Sequence, residues 1–349
     1  MCSAFILALS YSDFFITRYD STIQTVKNEL VDVPKKILQK PLDTKLYDHK
    51  MLLLANNPKP KVVATSTATS TKSVKVPLWP AKTVYPSSGA LLPFNRIIAY
   101  YGNFLSKGMG VLGQYPEAEM LAKLRSEVKH WEEADPATPV IPAIHYIAVT
   151  AQVSAGKDGK YILRMPDSQI ELALETAKKV NGIVFLDVQI GLSTLQKEIP
   201  LLDAFLKLPN VHLGIDPEFS MKTGIAPGHV IGSMDAVDIN YVANHLAELV
   251  KANNLPPKIL VIHRFTHKMV TNFKQITPLP EVQIVMHMDG WGSPAKKFGT
   301  YSQVIVPEPV QFTGFKIFYR NDLKPPSTRL ITPQELLDLN PRPIYIQYQ

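Results

Sequence analysis

The feature that most constrains this chain is an alternation running from Arg96 to its end. Eight short β-rich runs, at 97–103, 140–149, 183–190, 211–219, 259–265, 282–291, 314–320 and 343–348, are separated by stretches of helical period such as 116–134, 168–180, 193–208 and 235–253. Several of these stretches carry start signals: Ser168 with Glu171 three residues on, Ser293 before Pro294, and Thr332 before Pro333 with Glu335 at the third helical position. Strand and helix repeated eight times is the sequence form of an α/β protein of the (β/α)8 barrel class, which typically takes about 250 residues. A doubly wound open sheet is the alternative, but it usually has fewer strands, and no Gly-rich phosphate loop follows the first run here. The chain stops in the last run, so a barrel lacking its last helix is expected, with the N-terminal residues available as outer cover.

The 349 residues exceed the roughly 150 of a typical domain, which favours one large domain at 94–349 with an appendage. Hydrophobic residues at 46% and charged residues at 19% supply a core and exclude wholesale disorder. No segment offers the roughly 18 uninterrupted apolar residues of an ordinary membrane span, which excludes a polytopic protein. The single cysteine, Cys2, excludes an intrachain disulfide and a Cys-cluster zinc site. The net charge of +7 suggests nucleic acid until it is located: residues 1–93 hold 12 Lys and Arg against 6 Asp and Glu, residues 94–349 hold 25 against 24. The barrel is nearly neutral and no nucleic-acid partner is expected; the basic excess belongs to the N-terminal quarter.

Residues 1–54 are expected to form an arm with a short helix or two. The apolar stretch Phe5 to Leu9, extended by 14–16, is broken by Asp13 and preceded by no Lys or Arg. It is either the remnant of a signal or anchor segment or a buried helix. Residues 55–93 read as an extended linker, with Asn-Asn-Pro-Lys-Pro at 56–60, a Ser/Thr tract at 65–71 and Pro77, Pro80, Pro86 and Pro93. This stalk-like composition favours a monomeric, exported protein, secreted or associated with the cell envelope, whose arm can tether the barrel to membrane or cell wall.

In such a barrel the C-terminal strand ends line the active-site mouth. Those ends carry, in chain order, Tyr101 and Asn103, His145, Asp187 and Gln189, Asp216 and Glu218, His263 and Arg264, His287 with Asp289 and Trp291, Tyr319, and Gln347. Period-two alternation puts Asp187 with Gln189, Gly214 with Asp216 and Glu218, and His287 with Asp289 and Trp291 on common faces. Burying so many ionisable groups is costly unless they are paired or functional, although inter-strand salt bridges would account for two or three of them. The densest carboxylate cluster is Asp187, Asp216, Glu218 and Asp289. Carboxyl groups held close raise one pKa and leave the other ionised, the division that acid/base cleavage of an acetal needs. Glu218 is the expected acid, with Asp216 or Asp289 as nucleophile or stabilising anion. Trp291, with Tyr100 and Tyr101, offers a platform for a sugar ring or else plugs the mouth. Asn103, His145, Gln189, His263, His287 and Gln347 complete the expected substrate contacts. The segment 222–233 is either a lid or a rigid connector.

This reading needs no metal or other cofactor. The alternative is a divalent-metal centre built from His145, His263, His287 and Asp187, because imidazole and carboxylate suit zinc, manganese or iron. Against it, no two histidines stand at i, i+4 on one helix, and His263 and His267 straddle a strand end. Ser193 and Ser233 read as helix caps, since neither stands in a Gly-x-Ser-x-Gly elbow.

Four segments carry a resemblance: Phe185-Leu186-Asp187-Val188-Gln189, Gly214-Ile215-Asp216-Pro217-Glu218-Phe219, Pro227-Gly228-His229-Val230-Ile231-Gly232-Ser233 and His287-Met288-Asp289-Gly290-Trp291-Gly292. They resemble a family of uncharacterised bacterial secreted or lipoprotein-type barrels over about residues 96 to 349. The resemblance implies an envelope location and a glycosidase-like barrel. More distantly, the Asp216 to Glu218 tip is similar to that of chitinase-type and lysozyme-type barrel hydrolases, with Gly214 standing where a further aspartate would be expected. The expected function is therefore an exported glycoside-hydrolase-like barrel acting on an envelope or extracellular glycan. A metal-dependent hydrolase and a non-catalytic barrel that binds glycan or protein are the alternatives.

Overall fold

The computed structural model describes residues 41–58 and 76–349, so the expectations for Cys2, the apolar stretch at 5–16 and the Ser/Thr tract at 65–71 lie outside the described residues. Eight parallel strands form the central sheet: β1 (Arg96–Gly102), β2 (Val140–Ala151), β3 (Ile183–Val188), β4 (Val211–Ile215), β5 (Lys258–Arg264), β6 (Val282–Met288), β7 (Phe312–Ile317) and β8 (Tyr345–Tyr348). Each pairs with its neighbours in sequence, and β1 pairs with both β2 and β8, so the sheet closes on itself. The chain is a (β/α)8 barrel. The helices are α1 (Thr44–Ala55), α2 (Glu117–Ala134), α3 (Asp167–Lys178), α4 (Ala236–Asn253), α5 (Pro294–Thr300) and α6 (Pro333–Leu337), with shorter turns between. Among the described residues no helix is long and apolar enough to cross a membrane.

Local chemistry explains where the elements stop. Pro217 cannot donate to a strand ladder, so β4 ends at Ile215 and a 3-10 turn, Pro217–Phe219, follows. The helical stretch expected at 193–208 is broken into Leu195–Glu198, Ile199–Leu202 and Asp203–Leu206, with Pro200 in its middle. The start signal Thr332 with Glu335 closes as a full capping box on α6, and Asp235 with Asp238 forms another on α4. Ser168 does not cap; α3 begins one residue earlier, behind Pro166.

Alternation divides the strands between two cores. Outward residues such as Ile98, Tyr100, Leu186, Leu213 and Ile262 pack against the helices. Inward residues Ile97, Ala99, Ala143, Ile183, Phe185, Ile259, Val261, Val285, Phe312 and Tyr345 fill the lower barrel, joined from below by Tyr47 and Met51 of α1. Asp43 caps α1 by accepting from the Leu46 amide at 2.9 Å, and Leu54 accepts from the Arg342 amide at 2.7 Å. Burying two such side chains contributes about 1.5–3 kcal/mol each, which holds α1 across the N-terminal end of the barrel. The incoming chain is fixed at the same end by the inward amide of Gln283, which accepts from Leu91 and Leu92 at 3.1 Å each and donates to Leu92 at 2.6 Å.

Candidate active site

Above the apolar floor the inward positions change character. At the C-terminal half of the barrel they are Tyr101, His145, Asp187, His263, His287, Lys316 and Gln347, all buried. Just beyond the strand ends Asp216 and Asp289 extend the same face. The strand register lines up Tyr101 with His145 and His263 with His287, so these groups come to one level although they are remote in sequence.

Asp187 lies at the centre of a bonded chain. It accepts the Tyr101 hydroxyl on Oδ2 at 2.8 Å, and its Oδ1 faces His145 Nε2 at 3.3 Å and His263 Nε2 at 3.4 Å. His145 Nδ1 lies 2.5 Å from the Tyr345 hydroxyl and 3.0 Å from Gln347 Nε2, both donors, so that nitrogen is the acceptor and the proton sits on Nε2 towards Asp187. Burial holds the His145 pKa down to about 4, which keeps the ring neutral. His263 differs. Its Nδ1 lies 2.6 Å from Asp289 Oδ2 while Nε2 faces Asp187, so both nitrogens need protons. Burial opposes that charge, but Asp187 and Asp289 outweigh it and push the His263 pKa up to about 10. The other oxygen of Asp289 forms an ion pair with Lys316 Nζ at 3.0 Å. Burial alone would raise the Asp289 pKa, yet Lys316 and His263 hold it well below the usual carboxylate range.

Two anions, Asp187 and Asp289, are thus matched by two cations, His263 and Lys316. Among the described residues, Asp216 and Glu218 form no ion pair with a cation. Burial, reinforced by neighbouring carboxylates, pushes Asp216 up to about 7 and Glu218 up to about 8. Their placement follows from the turn at Pro217: Asp216 Oδ1 accepts the Glu218 amide at 3.0 Å, which sets the direction in which the chain leaves the barrel. The segment 222–233 returns to this point, where Gly232 donates to the Glu218 carbonyl at 2.6 Å and Ser233 to the Ser220 carbonyl at 3.2 Å. A side chain at 232 would lie 2.6–2.7 Å from three carbonyl oxygens, so the segment is pinned at its end as a connector.

Two glycines make room for this interior. A Cβ at Gly214 would stand 2.5 Å from both Asp187 Oδ1 and His145 Nε2, and one at Gly314 would stand 2.6 Å from His287 Nδ1. The absence of an aspartate at 214 is therefore steric: that volume belongs to the Asp187–His145 contact. Gly214→Ala is expected to destabilise the fold by about 1–3 kcal/mol, as overpacking does, measured as a lowered denaturant midpoint with an unchanged slope.

The other sequence candidates divide. Gln189 accepts from the Ala151 amide at 2.9 Å and donates to the Tyr101 hydroxyl at 3.4 Å, which makes it a neighbour of the chain. Gln347 belongs to it directly. Asn103 is buried but serves the end of β2, donating to Tyr146 Oη at 3.2 Å and the Ile147 carbonyl at 3.1 Å. His287 is buried between the His263 and Tyr345 rings, at 5.1 Å from each, and burial holds its pKa well below 6.5. Trp291 is exposed at the rim. Tyr100 and Tyr319 face outward; their hydroxyls meet at 3.0 Å and Tyr319 donates to Glu127 of α2 at 2.7 Å.

No family model matches the chain, and no curated protein does. Among solved structures it is similar to a trimodular GH5_4 subfamily endoglucanase, with 9% identity, a TM-score of 0.40, and coverage of 74% of this chain and 56% of that one. It is also similar to XEG5A, a GH5 xyloglucan-specific endo-beta-1,4-glucanase from a metagenomic library, with 11% identity, a TM-score of 0.35 and coverage of 74% and 87%. A tri-modular GH5 subfamily 4 endo-beta-1,4-glucanase from Bacillus licheniformis gives 10% identity, a TM-score of 0.36 and coverage of 74% and 54%. The chain thus spans about half the length of two of these three.

Two side chains central to the site were absent from the sequence reading, Lys316 and Tyr345. The signal was present for the first: Gly314, Lys316 and Phe318 alternate with Phe315, Ile317 and Tyr319, and a lysine sharing a face with a glycine points into a barrel as readily as out of it.

Proposed function

We propose that this barrel is a glycoside hydrolase working by carboxylate acid/base chemistry, with Glu218 as the acid and Asp289 as the ionised partner. The observation that carries the reading is the unequal treatment of carboxyl groups at one rim. Asp289 sits between His263 Nδ1 at 2.6 Å and Lys316 Nζ at 3.0 Å, while Glu218 is partly buried and, among the described residues, pairs with no cation. Glu218 keeps its proton at neutral pH and can give it to a leaving alkoxide as the glycosidic bond breaks. Asp289 stays anionic and stabilises, or attacks, the developing oxocarbenium centre. Ligand atoms of Asp216, His263 and Asp289 all lie within 4.8 Å of one another, closer than the roughly 6.5–9.5 Å between the carboxyl groups of an inverting pair. Asp216 and Asp289 therefore do not make that pair, and Asp216 adjusts its neighbours. Asp187, saturated by Tyr101, His145 and His263, orients His263.

A substrate in an envelope or outside the cell is supported by the Ser/Thr/Pro composition of 55–93 and by the basic excess of the N-terminal quarter. A metal-dependent hydrolase is the second reading, favoured by the convergence of His145, Asp187 and His263 and of Asp216, His263 and Asp289. It ranks lower because Lys316 and His263 already face both oxygens of Asp289.

The test is a screen of polysaccharides and aryl glycosides for release of reducing ends, with and without chelator. Hydrolysis is expected to survive chelation and to fall above pH 8, where Glu218 loses its proton. Activity abolished by chelator and restored by a divalent metal replaces this reading with the second one. Binding without cleavage across the panel refutes both.

A further inference from the structure

We propose that Trp291, Lys296 and Lys324 form a subsite for an anionic sugar unit at the barrel mouth, which makes the substrate a negatively charged glycan. The inference deepens the glycosidase reading and rests on it. Of the three tryptophans, Trp79 is 5% exposed, Trp131 is fully buried and Trp291 is 38% exposed. Trp291 follows Asp289 by two residues, just beyond the end of β6. Two ammonium groups attend it: Lys296 Nζ lies 4.7 Å and Lys324 Nζ 5.1 Å from the ring centroid.

The lysines come from different loops, one on α5 after β6 and one beyond the turn Asn321–Leu323 after β7. Buried Asp322 bolts these loops together. Its Oδ1 accepts the Gly292 amide at 2.9 Å, its Oδ2 accepts the Phe318 amide at 2.9 Å, and it pairs with buried Lys297, which also donates to the Lys316 carbonyl at 2.7 Å. The aromatic face and the cations are therefore held in register before any ligand arrives. Lys296 is exposed and, among the described residues, forms no ion pair with a carboxylate.

The ionised groups beneath the mouth are themselves balanced. Asp187 and Asp289 are matched by His263 and Lys316, and burial leaves Asp216 and Glu218 protonated over part of the neutral range. Residues 94–349 as a whole hold 25 basic against 24 acidic groups, so a cationic pair at the mouth is a local feature. An aromatic edge with two ammonium groups suits a sugar ring bearing carboxylate or phosphate.

The experiment uses the full chain carrying Glu218→Gln, so that binding is read without turnover. Calorimetry compares a neutral β-glucan, a polyuronate and a glycerol-phosphate polymer at low and high salt. At least one anionic polymer is expected to bind about tenfold or more tightly than the neutral one, and the preference is expected to vanish near 1 M salt, where screening shortens to about 3 Å. Which anionic polymer binds identifies carboxylate or phosphate as the group read. Lys296→Met and Lys324→Met are each expected to weaken anionic binding about two- to fivefold, with thermal unfolding unchanged. If the parent chain cleaves neutral glycans and the double lysine variant matches it on every substrate, the subsite is wrong while the glycosidase reading stands. If no glycan is bound or cleaved, both fall.

Discussion

Replacing Glu218 with glutamine is expected to lower kcat by about 10²–10⁴-fold on substrates with a poor leaving group, the usual contribution of a positioned general acid. Glutamine keeps the shape and loses the proton donor, so binding is expected to survive. The loss should be markedly smaller on an aryl glycoside whose phenolate departs without protonation, and that difference separates a missing acid from a damaged pocket. The alkaline limb of the pH profile, set near 8 by Glu218, is expected to disappear in the variant. Stability moves the other way. Folding raises the Glu218 pKa from 4.5 to about 8, so its contribution is present in full below 4.5 and is lost as pH rises through 8. Glutamine has no charge to desolvate, and Glu218→Gln is expected to melt above the parent protein most clearly at alkaline pH. Equal activity of variant and parent on both substrate types removes Glu218 from the mechanism.

Lys316→Met is expected to cost about 3–5 kcal/mol of stability, because it leaves a buried carboxylate facing an apolar group. Lys316 is the first contributor to holding Asp289 ionised, with its Nζ 3.0 Å from Asp289 Oδ1 and 3.9 Å from the Tyr101 ring centroid. Without it the Asp289 pKa rises, and so does that of Glu218, which Lys316 also lowers, so activity is expected to be lost from the acid side of the profile while the alkaline limb moves to higher pH. Adding Asp289→Asn to Lys316→Met removes both members of the pair and is expected to recover part of the stability and none of the activity. Denaturant unfolding of the four proteins in this cycle gives the coupling directly. A double variant no more stable than the single one would show that Lys316 supports the barrel through packing alone.

The barrel could be read from the sequence because each strand repeats a period of two and each helix is fenced by Ser, Thr, Asp or Pro. Those signals are local, and so is their failure at Ser168, where Pro166 set the helix start. Convergence at the mouth was foreseeable in part, since Asp187, Asp216 and Asp289 stand at corresponding strand ends. Alternation alone does not separate a side chain at the solvent edge from one two layers down. Asp187 and Asp289 look alike in sequence, yet one is enclosed by Tyr101, His145 and His263 and the other sits at the rim. The seventh run, 314–320, reads to Arg320 in sequence and so ends at the outward Tyr319, whereas the strand stops at Ile317 and leaves Lys316 at its inward C-terminal end. Gly214 shows the reverse case: a residue that looks like a gap in a motif is where two buried polar side chains, Asp187 and His145, need the volume.

The helix across the foot of the barrel has a chemical corollary. With Tyr47 and Met51 packed at that end, His145 and Tyr345 are bonded towards the lip, through Asp187 and the groups above it. A bound polymer would lie over a blind well rather than thread through it, and while it lay there it would shut the deep imidazole off from bulk water.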